Sequence, residues 1–229
     1  MAAGGAAARR LVELSHVIEH GMVTYPGLPA PEITDHLTRE EAKKVYAPGV
    51  TFQIGRISMV GNTGTYLDSP FHRFADGADL ADVPLEKVAD LDAVVLACDP
   101  EKRAIDARDL GGLDVAGKAV LLATGWDANF RTPAYGESAP FLTADATAWL
   151  VEHQAALVGI DTVNIDDLGD RARPAHSGLL GAGIPIVEHL RGLGALPPSG
   201  VRFTATPPRV RGFGTFPVRA FAIVAGAAP

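Results

Sequence analysis

The sequence predicts a mixed α/β fold built as one domain. Three short apolar runs bounded by turn residues are typical of buried strands, and they span residues 93–98, 119–123 and 157–160. The segment 143–153 carries the best helical pattern in the chain, because Thr143 can cap it and Asp145 lies in the first turn, where the helix dipole favours a carboxylate. No internal repeat or linker interrupts the 229 residues, a length that one large domain can accommodate.

The other predicted elements follow in chain order. Predicted strands span residues 11–18, 53–60, 203–206 and 218–224. A loop rich in proline and glycine covers residues 21–29, residues 38–46 form either a short helix or a mobile segment, and Pro84 begins a helical turn after the loop at 73–83. We expect residues 1–10 to be a disordered lead and residues 11–229 to form the domain.

The composition is that of an ordinary globular protein, with 47% hydrophobic and 21% charged residues. The net charge of −7 argues against nucleic acid or an anionic membrane as a partner. No apolar stretch is long enough to span a bilayer, and the first residues lack the charged-then-apolar order of a signal peptide, so we expect a cytoplasmic protein. The single cysteine, Cys98, excludes an intrachain disulfide and is predicted to be a buried, inert strand residue.

The first candidate site is the stretch VGNTGTYLDSPFHR at residues 60–73. Asp68 and His72 are its two groups capable of acid–base or metal chemistry near neutral pH. Its two glycines suit a backbone that turns tightly or approaches a ligand closely. Pro70 fixes its own φ, so we expect no helix between Asp68 and His72. The alternative is a structural turn with a surface histidine.

A second group of candidates lies much further along the chain. His176 and Glu188 stand within residues 175–188, and either one, taken alone, is more often a surface or helix-end residue than a ligand. Asp161 and Asp166 follow a buried strand, where an aspartate in an α/β sheet is either a site residue or a turn former. Trp126, after another strand, either packs in the core or walls a pocket.

Residues 62–72 read NTGTYLDSPFH, and this segment resembles the signature of the cyclase family, which includes bacterial arylformamidase (kynurenine formamidase) and isatin hydrolase. That signature is His-x-Gly-Thr-His-x-Asp-x-Pro-x-His. The matching residues are Gly64, Thr65, Asp68, Pro70 and His72, whereas Asn62 and Tyr66 stand in place of the first two histidines. Further matches lie at residues 14–16, 124–126, 159–162 and 217–219, so the resemblance covers nearly the whole chain. It implies a single-domain mixed sheet with flanking helices, of the swivelling β/α/β type.

The resemblance also implies a metal site. In family members with two metals, the signature histidines help to hold one ion, while the other ion takes the signature Asp, a later His and a Glu. Carried over to this chain, Asp68, His176 and Glu188 remain as ligands of one divalent ion, zinc or manganese, and His72 moves the proton. The other ion loses its ligands, because an Asn62 amide is a poor zinc ligand and the Tyr66 phenol would have to ionise.

Substrate and assembly follow from the same resemblance. Tyr25 stands where family members carry an aromatic residue before Pro-Gly, and in arylformamidase a tryptophan there contacts substrate. With Asn62 and Phe71 it forms the predicted substrate-binding set. The aromatic neighbours Phe71 and Phe74 indicate an aromatic or cyclic small molecule, although a packed loop explains them equally well. Because the family is dimeric or tetrameric, we expect a homodimer or homotetramer.

Three hypotheses about function remain open at this point. In the first, the chain hydrolyses an amide, cyclic amide or lactone with at most one divalent metal and His72 as general acid/base. In the second, no metal binds, and Tyr66, Asn62 and His72 polarise a carbonyl and move a proton in lyase, isomerase or hydrolase chemistry. In the third, the fold is a non-catalytic binder of small molecules. The joint presence of the four residues at 68, 72, 176 and 188 argues against the third.

Overall fold

The computed structural model describes residues 9–226, and the statements below refer to that part of the chain. Its strands are β1 (Arg9–Glu13), β2 (Glu32–Leu37), β3 (Ile54–Ser58), β4 (Tyr66–Asp68), β5 (Leu91–Ala97), β6 (Ala104–Ile105), β7 (Ala119–Ala123), β8 (Phe141–Leu142), β9 (Leu157–Ile160), β10 (Ile186–Glu188), β11 (Val201–Thr204), β12 (Thr215–Pro217) and β13 (Phe221–Ala225). Its α-helices are α1 (Arg39–Ala42), α2 (Ala107–Leu110), α3 (Ala144–Glu152) and α4 (Pro174–Gly181). Short 3₁₀ turns span Pro70–His72, Leu85–Lys87, Trp126–Asn129, Pro133–Gly136 and Leu193–Ala195.

A mixed sheet organises these elements, in the order β1-β13-β11-β5-β7-β9-β10-β4-β12. Strands β5, β7, β9 and β10 run parallel to one another, whereas the strands on both outer sides pair antiparallel. Two small sheets, β2-β3 and β6-β8, lie beside it. The predicted mixed α/β class is therefore confirmed.

The central strands are buried on both faces. In β7, the odd-numbered residues pack into one apolar cluster, whereas Val120 and Leu122 pack into another. This division follows from the alternation of side chains along a strand. Helices α3 and α4 cover the second face, with Leu150 and Leu179 among the residues that they bury there. A strand that is buried on both faces has apolar residues at every position. The continuous apolar run of β7 therefore predicted this strand correctly.

The predicted and observed elements differ mainly at their ends and in the short pieces. Arg9 and Arg10 belong to β1, so the predicted lead extends too far, and its residues 1–8 lie outside the described residues. Strand β1 ends at Glu13 rather than at residue 18. Thr143 caps α3 as predicted, and residues 38–46 contain the short helix α1. The sequence analysis missed β10 and β12, which have only three residues each, and α4, whose two glycines and serine are weak helix formers.

Two expectations of the composition analysis can be compared with the structure. Among the described residues, no helix has the length and apolar character needed to cross a membrane. Cys98 directly follows β5 and is partly buried. Burial raises the pKa of its thiol to about 12. The thiol therefore stays protonated at neutral pH, whereas the predicted strand position and full burial of Cys98 are wrong.

Candidate active site

Strand β4 lies between β10 and β12, and pairing across these strands builds the floor of the site. Tyr66 and Asp68 are two residues apart on one strand, so their side chains point to the same face. Tyr66 lies opposite Glu188 on β10, and Asp68 lies opposite Thr215 on β12. Both pairs are hydrogen-bonded, since the Tyr66 hydroxyl donates to Glu188 Oε2 at 2.7 Å and the Thr215 hydroxyl donates to Asp68 Oδ1. Neighbours across a sheet thus become functional partners.

His72 reaches the same site from the turn that follows β4. Pro70–His72 forms a single 3₁₀ turn, so the expectation of no helix in this segment is wrong. Proline fits the first position of a helical turn, because its fixed φ is helical and no partner is needed for an N–H there. His72 Nδ1 lies 2.8 Å from Thr215 Oγ1. Because Thr215 gives its only hydroxyl hydrogen to Asp68, His72 donates from Nδ1 and keeps Nε2 as its basic nitrogen.

His176 enters from helix α4, which covers this face of the sheet. Its Nδ1 bonds Asp166 Oδ2 at 2.6 Å, and Asp166 also accepts the backbone N–H groups of Ala175 and His176. Asp166, left open above as site residue or turn former, therefore orients His176. Nε2 of the ring lies 3.8 Å from Asp68 Oδ2 and 3.7 Å from Glu188 Oε1. The structure thus brings all three predicted metal ligands together.

The ionisable groups of the floor perturb one another strongly. Burial raises the pKa of Glu188 to about 7, and burial together with the charge of Glu188 raises the pKa of Tyr66 well above its ordinary value. Burial alone would lower the pKa of His176, but its hydrogen bond to Asp166 and the nearby carboxylates raise it to about 10. Burial would raise the pKa of Asp68, yet the imidazoles of His176 and His72 hold it below its usual value. Burial and the neighbouring carboxylates therefore favour the neutral form of the Tyr66 phenol.

One buried oxygen of the floor has no hydrogen-bond partner among the described residues. Asp68 is fully buried, and its Oδ2 accepts nothing. A buried carboxylate oxygen without a partner is unfavourable, and the 3.8 Å to His176 Nε2 is too long for a hydrogen bond. Two ligands of one zinc ion, each about 2.0–2.2 Å from it, lie at most about 4.4 Å apart. The separations of His176 Nε2 from Asp68 Oδ2 and from Glu188 Oε1 therefore fit one shared divalent ion.

A cavity of about 260 Å³ opens above this floor. Its lining residues are Tyr25, Leu28, Asn62, Tyr66, His72, Arg73, Asn164, Arg173, His176 and Glu188. Tyr25 and Asn62 thus lie where the resemblance placed substrate-binding residues. Phe71 lines an adjoining depression beside β12 that shares Asn62 and His72 with this cavity, so its predicted contact with substrate stays a prediction. Successive residues of a 3₁₀ turn point about 120° apart, and His72 takes the direction of the cavity.

Two other candidate residues, Trp126 and Asp161, have structural roles. The Trp126 indole packs in an apolar cluster with Val163 and donates its Nε1–H to the carbonyl of Tyr135 at 3.0 Å. Asp161 accepts the backbone N–H groups of Thr124 and Gly125 at 3.0 and 2.9 Å. Of the open alternatives, the core residue and the turn former are therefore the correct ones.

Comparisons with known proteins show the family to which this chain belongs. A family model described as "Putative cyclase" matches residues 12–167. The chain belongs to the cyclase family. A kynurenine formamidase from Geobacillus thermodenitrificans is 32% identical over 169 residues, which cover 73% of this chain and 78% of that protein. A kynurenine formamidase from Bacillus cereus is 26% identical over 182 residues, covering 78% of this chain and 81% of that protein.

Solved structures of the cyclase family share the fold. Isatin hydrolase A from Ralstonia solanacearum superposes with a TM-score of 0.80 at 23% identity, over 94% of this chain and 92% of that one. A structure described as a potential metal-dependent hydrolase with cyclase activity superposes with a TM-score of 0.76 at 27% identity, over 94% of this chain and 98% of that one. The predicted family and fold are confirmed, and the relatives are hydrolytic enzymes, as the resemblance implied.

Position 66, where this chain departs from the family signature, belongs to a buried series of hydrogen bonds. His189 Nε2 lies 3.3 Å from the Tyr66 hydroxyl, and His189 Nδ1 lies 2.9 Å from the Tyr135 hydroxyl. Because Tyr66 gives its hydrogen to Glu188, His189 must donate from Nε2 and accept from Tyr135. Burial lowers the pKa of His189 to about 3, so the ring is neutral, as this pattern requires. These hydrogen bonds orient the Tyr66 hydroxyl toward Glu188.

Several residues of this site could not be predicted from the sequence. They are Arg73, Tyr135, Asn164, Arg173, His189 and Thr215. Thr215 lies in a glycine-rich turn segment without a pattern of its own, and only the strand register pairs it with Asp68. His189 carried a signal, since it directly follows the predicted ligand Glu188.

Proposed function

We propose that this cyclase-family protein hydrolyses a small aromatic amide, cyclic amide or lactone, with one zinc or manganese ion held by Asp68, His176 and Glu188. The observation that carries the proposal is the buried Asp68 Oδ2, which lacks a hydrogen-bond partner and faces the same imidazole nitrogen as Glu188 Oε1. A divalent ion at this position supplies a Lewis acid that lowers the pKa of a bound water and polarises a substrate carbonyl.

His72 is the proposed general acid/base. Its Nδ1–H donates to Thr215, which donates in turn to Asp68, so the ring orientation is fixed from behind. Its Nε2 is then free to take a proton from the attacking water and to return it to the leaving group. The side chain is 34% exposed, which lets it reach both solvent and substrate.

His72 also lies close enough to be a ligand. One donor atom each from Asp68, His72 and His176 falls within 4.8 Å of the others. The base role is favoured because Glu188 already completes a set of three buried ligands, whereas the His72 ring is held through Thr215 at the open side of the cavity.

The cavity walls support an aromatic substrate. Tyr25 and Leu28 supply apolar surface, while Asn62 and Asn164 supply amide groups that can orient a polar ring substituent. The relatives named kynurenine formamidase and isatin hydrolase support an amide or a cyclic amide as the reacting group.

The direction of the hydrogen bond from Tyr66 to Glu188 disfavours the metal-free hypothesis. The Tyr66 hydroxyl donates to Glu188, and its pKa lies well above its ordinary value of 10.0. It therefore has no second hydrogen to give to a substrate carbonyl, and it is a weak proton donor. Tyr66 is better explained as the residue that fixes Glu188 than as a catalytic acid.

The proposal is tested with N-formyl arylamines, isatin and aromatic lactones as substrates. His72→Ala should lower turnover about 10²- to 10⁴-fold, the usual contribution of general acid–base catalysis, while one equivalent of metal is retained. His36→Ala, at an exposed position on β2, is the matched control. Loss of the metal together with activity would make His72 a ligand, and full turnover would assign the proton transfer to another group. If the wild type binds one of these compounds without turning it over, the protein is a binder.

We also propose that the protein assembles into a homodimer or homotetramer. The β2-β3 ribbon exposes Ile33 and Ile57, which lie opposite each other and are 41% and 48% accessible. Two-stranded ribbons are marginally stable alone, and exposed apolar patches mark interaction surfaces. Light scattering measures the assembly directly, and a monomer at micromolar concentration would contradict the proposal. The cytoplasmic location and the absence of nucleic acid and membrane partners remain predictions.

A further inference from the structure

Two arginines line the active-site cavity and take no part in the chemistry proposed so far. Arg73 directly follows His72, and Arg173 stands three residues before His176, at the start of α4. Six other arginines pair with carboxylates, namely Arg103, Arg108, Arg131, Arg202, Arg211 and Arg219. Within residues 9–226, neither Arg73 nor Arg173 has a carboxylate oxygen within 4.0 Å. Both therefore bring a positive charge to the cavity without an ion-pair partner among the described residues.

Arg173 is held in place by uncharged groups. Its Nη1 donates to the backbone carbonyl of Asp167 at 3.1 Å and lies 3.4 Å from Asn164 Oδ1. A guanidinium has five N–H groups in a planar fork, so the remaining ones are available to a ligand. Its backbone φ is 51°, a left-handed conformation that is unfavourable for a residue with a Cβ. A strained backbone beside a cavity is a reason to look for a function.

Arg73 follows the His72 turn and is held by a residue of α4. Its Nε lies 3.3 Å from the hydroxyl of Ser177 on α4, and its guanidinium lies 5.2 Å from the centre of the Phe74 ring. The Ser177 hydroxyl is neutral, and the aromatic face is a weak partner for a cation. Both arginines are therefore oriented beside α4 by uncharged groups.

From this geometry we propose that Arg73 and Arg173 form an anion subsite that selects substrates with a carboxylate near the scissile carbonyl. Two guanidinium forks match the two oxygens of a carboxylate. Each fork belongs to an element that carries a proposed catalytic or ligand histidine, so the bound anion lies close to the reacting group. In a protein with a net charge of −7, this local positive charge also draws an anionic substrate to the cavity. The effect of this subsite on turnover rests on the proposed function.

The test uses a pair of substrates that differ only in the carboxylate. These are 2-formamidobenzoate and formanilide, which share the same formamide bond to an aromatic ring. Arg173→Gln should lower kcat/KM for 2-formamidobenzoate about 10- to 100-fold, the size expected for a lost charge-assisted hydrogen bond. For formanilide, kcat/KM should change less than about twofold, because uniform binding of that substrate does not use the arginine. Arg73→Gln should act in the same direction.

Two variants control the experiment. Arg171→Gln removes a nearby exposed arginine that does not line the cavity, and it should leave both substrates unaffected. Arg173→Lys keeps the charge without the fork and should give an intermediate loss for 2-formamidobenzoate only. An equal loss for both substrates in Arg173→Gln would overturn the subsite and point to oxyanion stabilisation or misfolding. No loss for either substrate would overturn it as well.

A binding measurement separates this proposal from the proposed function. Calorimetry with 2-formamidobenzoate and formanilide needs no turnover. If the wild type hydrolyses neither compound but binds the carboxylate tighter, and Arg173→Gln removes that preference, the subsite stands and the proposed reaction fails. Equal affinity of the wild type for both compounds would overturn the subsite, whatever the protein catalyses.

Discussion

In the proposed function, Tyr66 limits the site to one ion. It stands in place of a signature histidine of the family, and its hydroxyl donates to Glu188 Oε2. Glu188 Oε1 accepts the backbone N–H of Ile165 at 2.7 Å, so both carboxylate oxygens are held. The phenol of Tyr66 thus occupies one oxygen of Glu188. Under the proposed function, this contact would orient Glu188 for one ion and leave no room for a second.

Replacement of Tyr66 by Phe tests this role. The variant leaves Glu188 Oε2 and His189 Nε2 without partners, so the free energy of unfolding should fall by about 1.5–3 kcal/mol. Turnover should fall less than about tenfold, because the hydroxyl does not touch reacting atoms in our account. Urea unfolding and steady-state kinetics measure the two effects, with Tyr46→Phe as the exposed control. A turnover loss as large as that of His72→Ala would make Tyr66 a catalytic residue instead.

Short strands, rather than the long ones, decide the geometry of the site. Strands β4, β10 and β12 have three residues each, and their register places Asp68, Thr215, Tyr66 and Glu188 on one face. A slip of one residue would turn these side chains to the opposite face. Three residues are too few to show an alternating pattern, so local sequence cannot reveal these strands. The apolar runs of β5, β7 and β9 are long enough, and they were predicted correctly.

The start of β12 approaches the His72 turn very closely, which gives a prediction for Gly214. A Cβ at this position would lie 2.4 Å from His72 N and 2.5 Å from His72 Cα, both rigid backbone atoms. Gly214→Ala must therefore shift the turn or the strand, and with it the contact between Thr215 and His72. We expect a loss of about 1–3 kcal/mol in the free energy of unfolding and at least about tenfold in turnover. Gly194→Ala, where an added Cβ meets nothing within 4 Å, is the control. Wild-type activity in Gly214→Ala would show that His72 does not need this placement.

The sequence predicted more of the overall fold than of the site. Apolar runs, one capped helix and the family signature gave the class, the family and the residues Asp68, His72, His176 and Glu188. Thr215, Asp166 and His189 act through contacts between segments far apart in the chain, as in the Thr215–His72 pair, which is 143 residues apart. Such roles depend on register and helix placement, which no local pattern encodes. The same holds for Phe71 and His72, which point in different directions because they follow one another in a 3₁₀ turn.

A half-buried histidine, His16, links the stability of the whole molecule to pH. Burial and the charge of Arg191 lower the pKa of His16 from 6.5 to about 4, and its ring stacks on Phe130 at 3.6 Å. Between about pH 6.5 and 4, the unfolded chain binds a proton at His16 that the folded chain does not. The free energy of unfolding therefore falls as pH falls through this window.

His16→Gln should remove this contribution, so the variant should lose less stability than the wild type between pH 7 and about pH 4.5. Chemical unfolding at a series of pH values measures the slope, and His36→Gln, at an exposed position, should keep the wild-type slope. Equal slopes for the wild type and His16→Gln would show that His16 is protonated alike in the folded and unfolded states.

The number of divalent ions that one chain retains tests the central claim most directly. Protein loaded with zinc or manganese is passed through gel filtration and then subjected to elemental analysis. The account predicts one equivalent per chain in the wild type, one in His72→Ala, and a loss of tight binding in His176→Ala, which removes a ligand from the set with Asp68 and Glu188. Two retained equivalents would contradict the account, because Asn62 and Tyr66 would then be adequate ligands. An active wild type that retains no ion would contradict it as well.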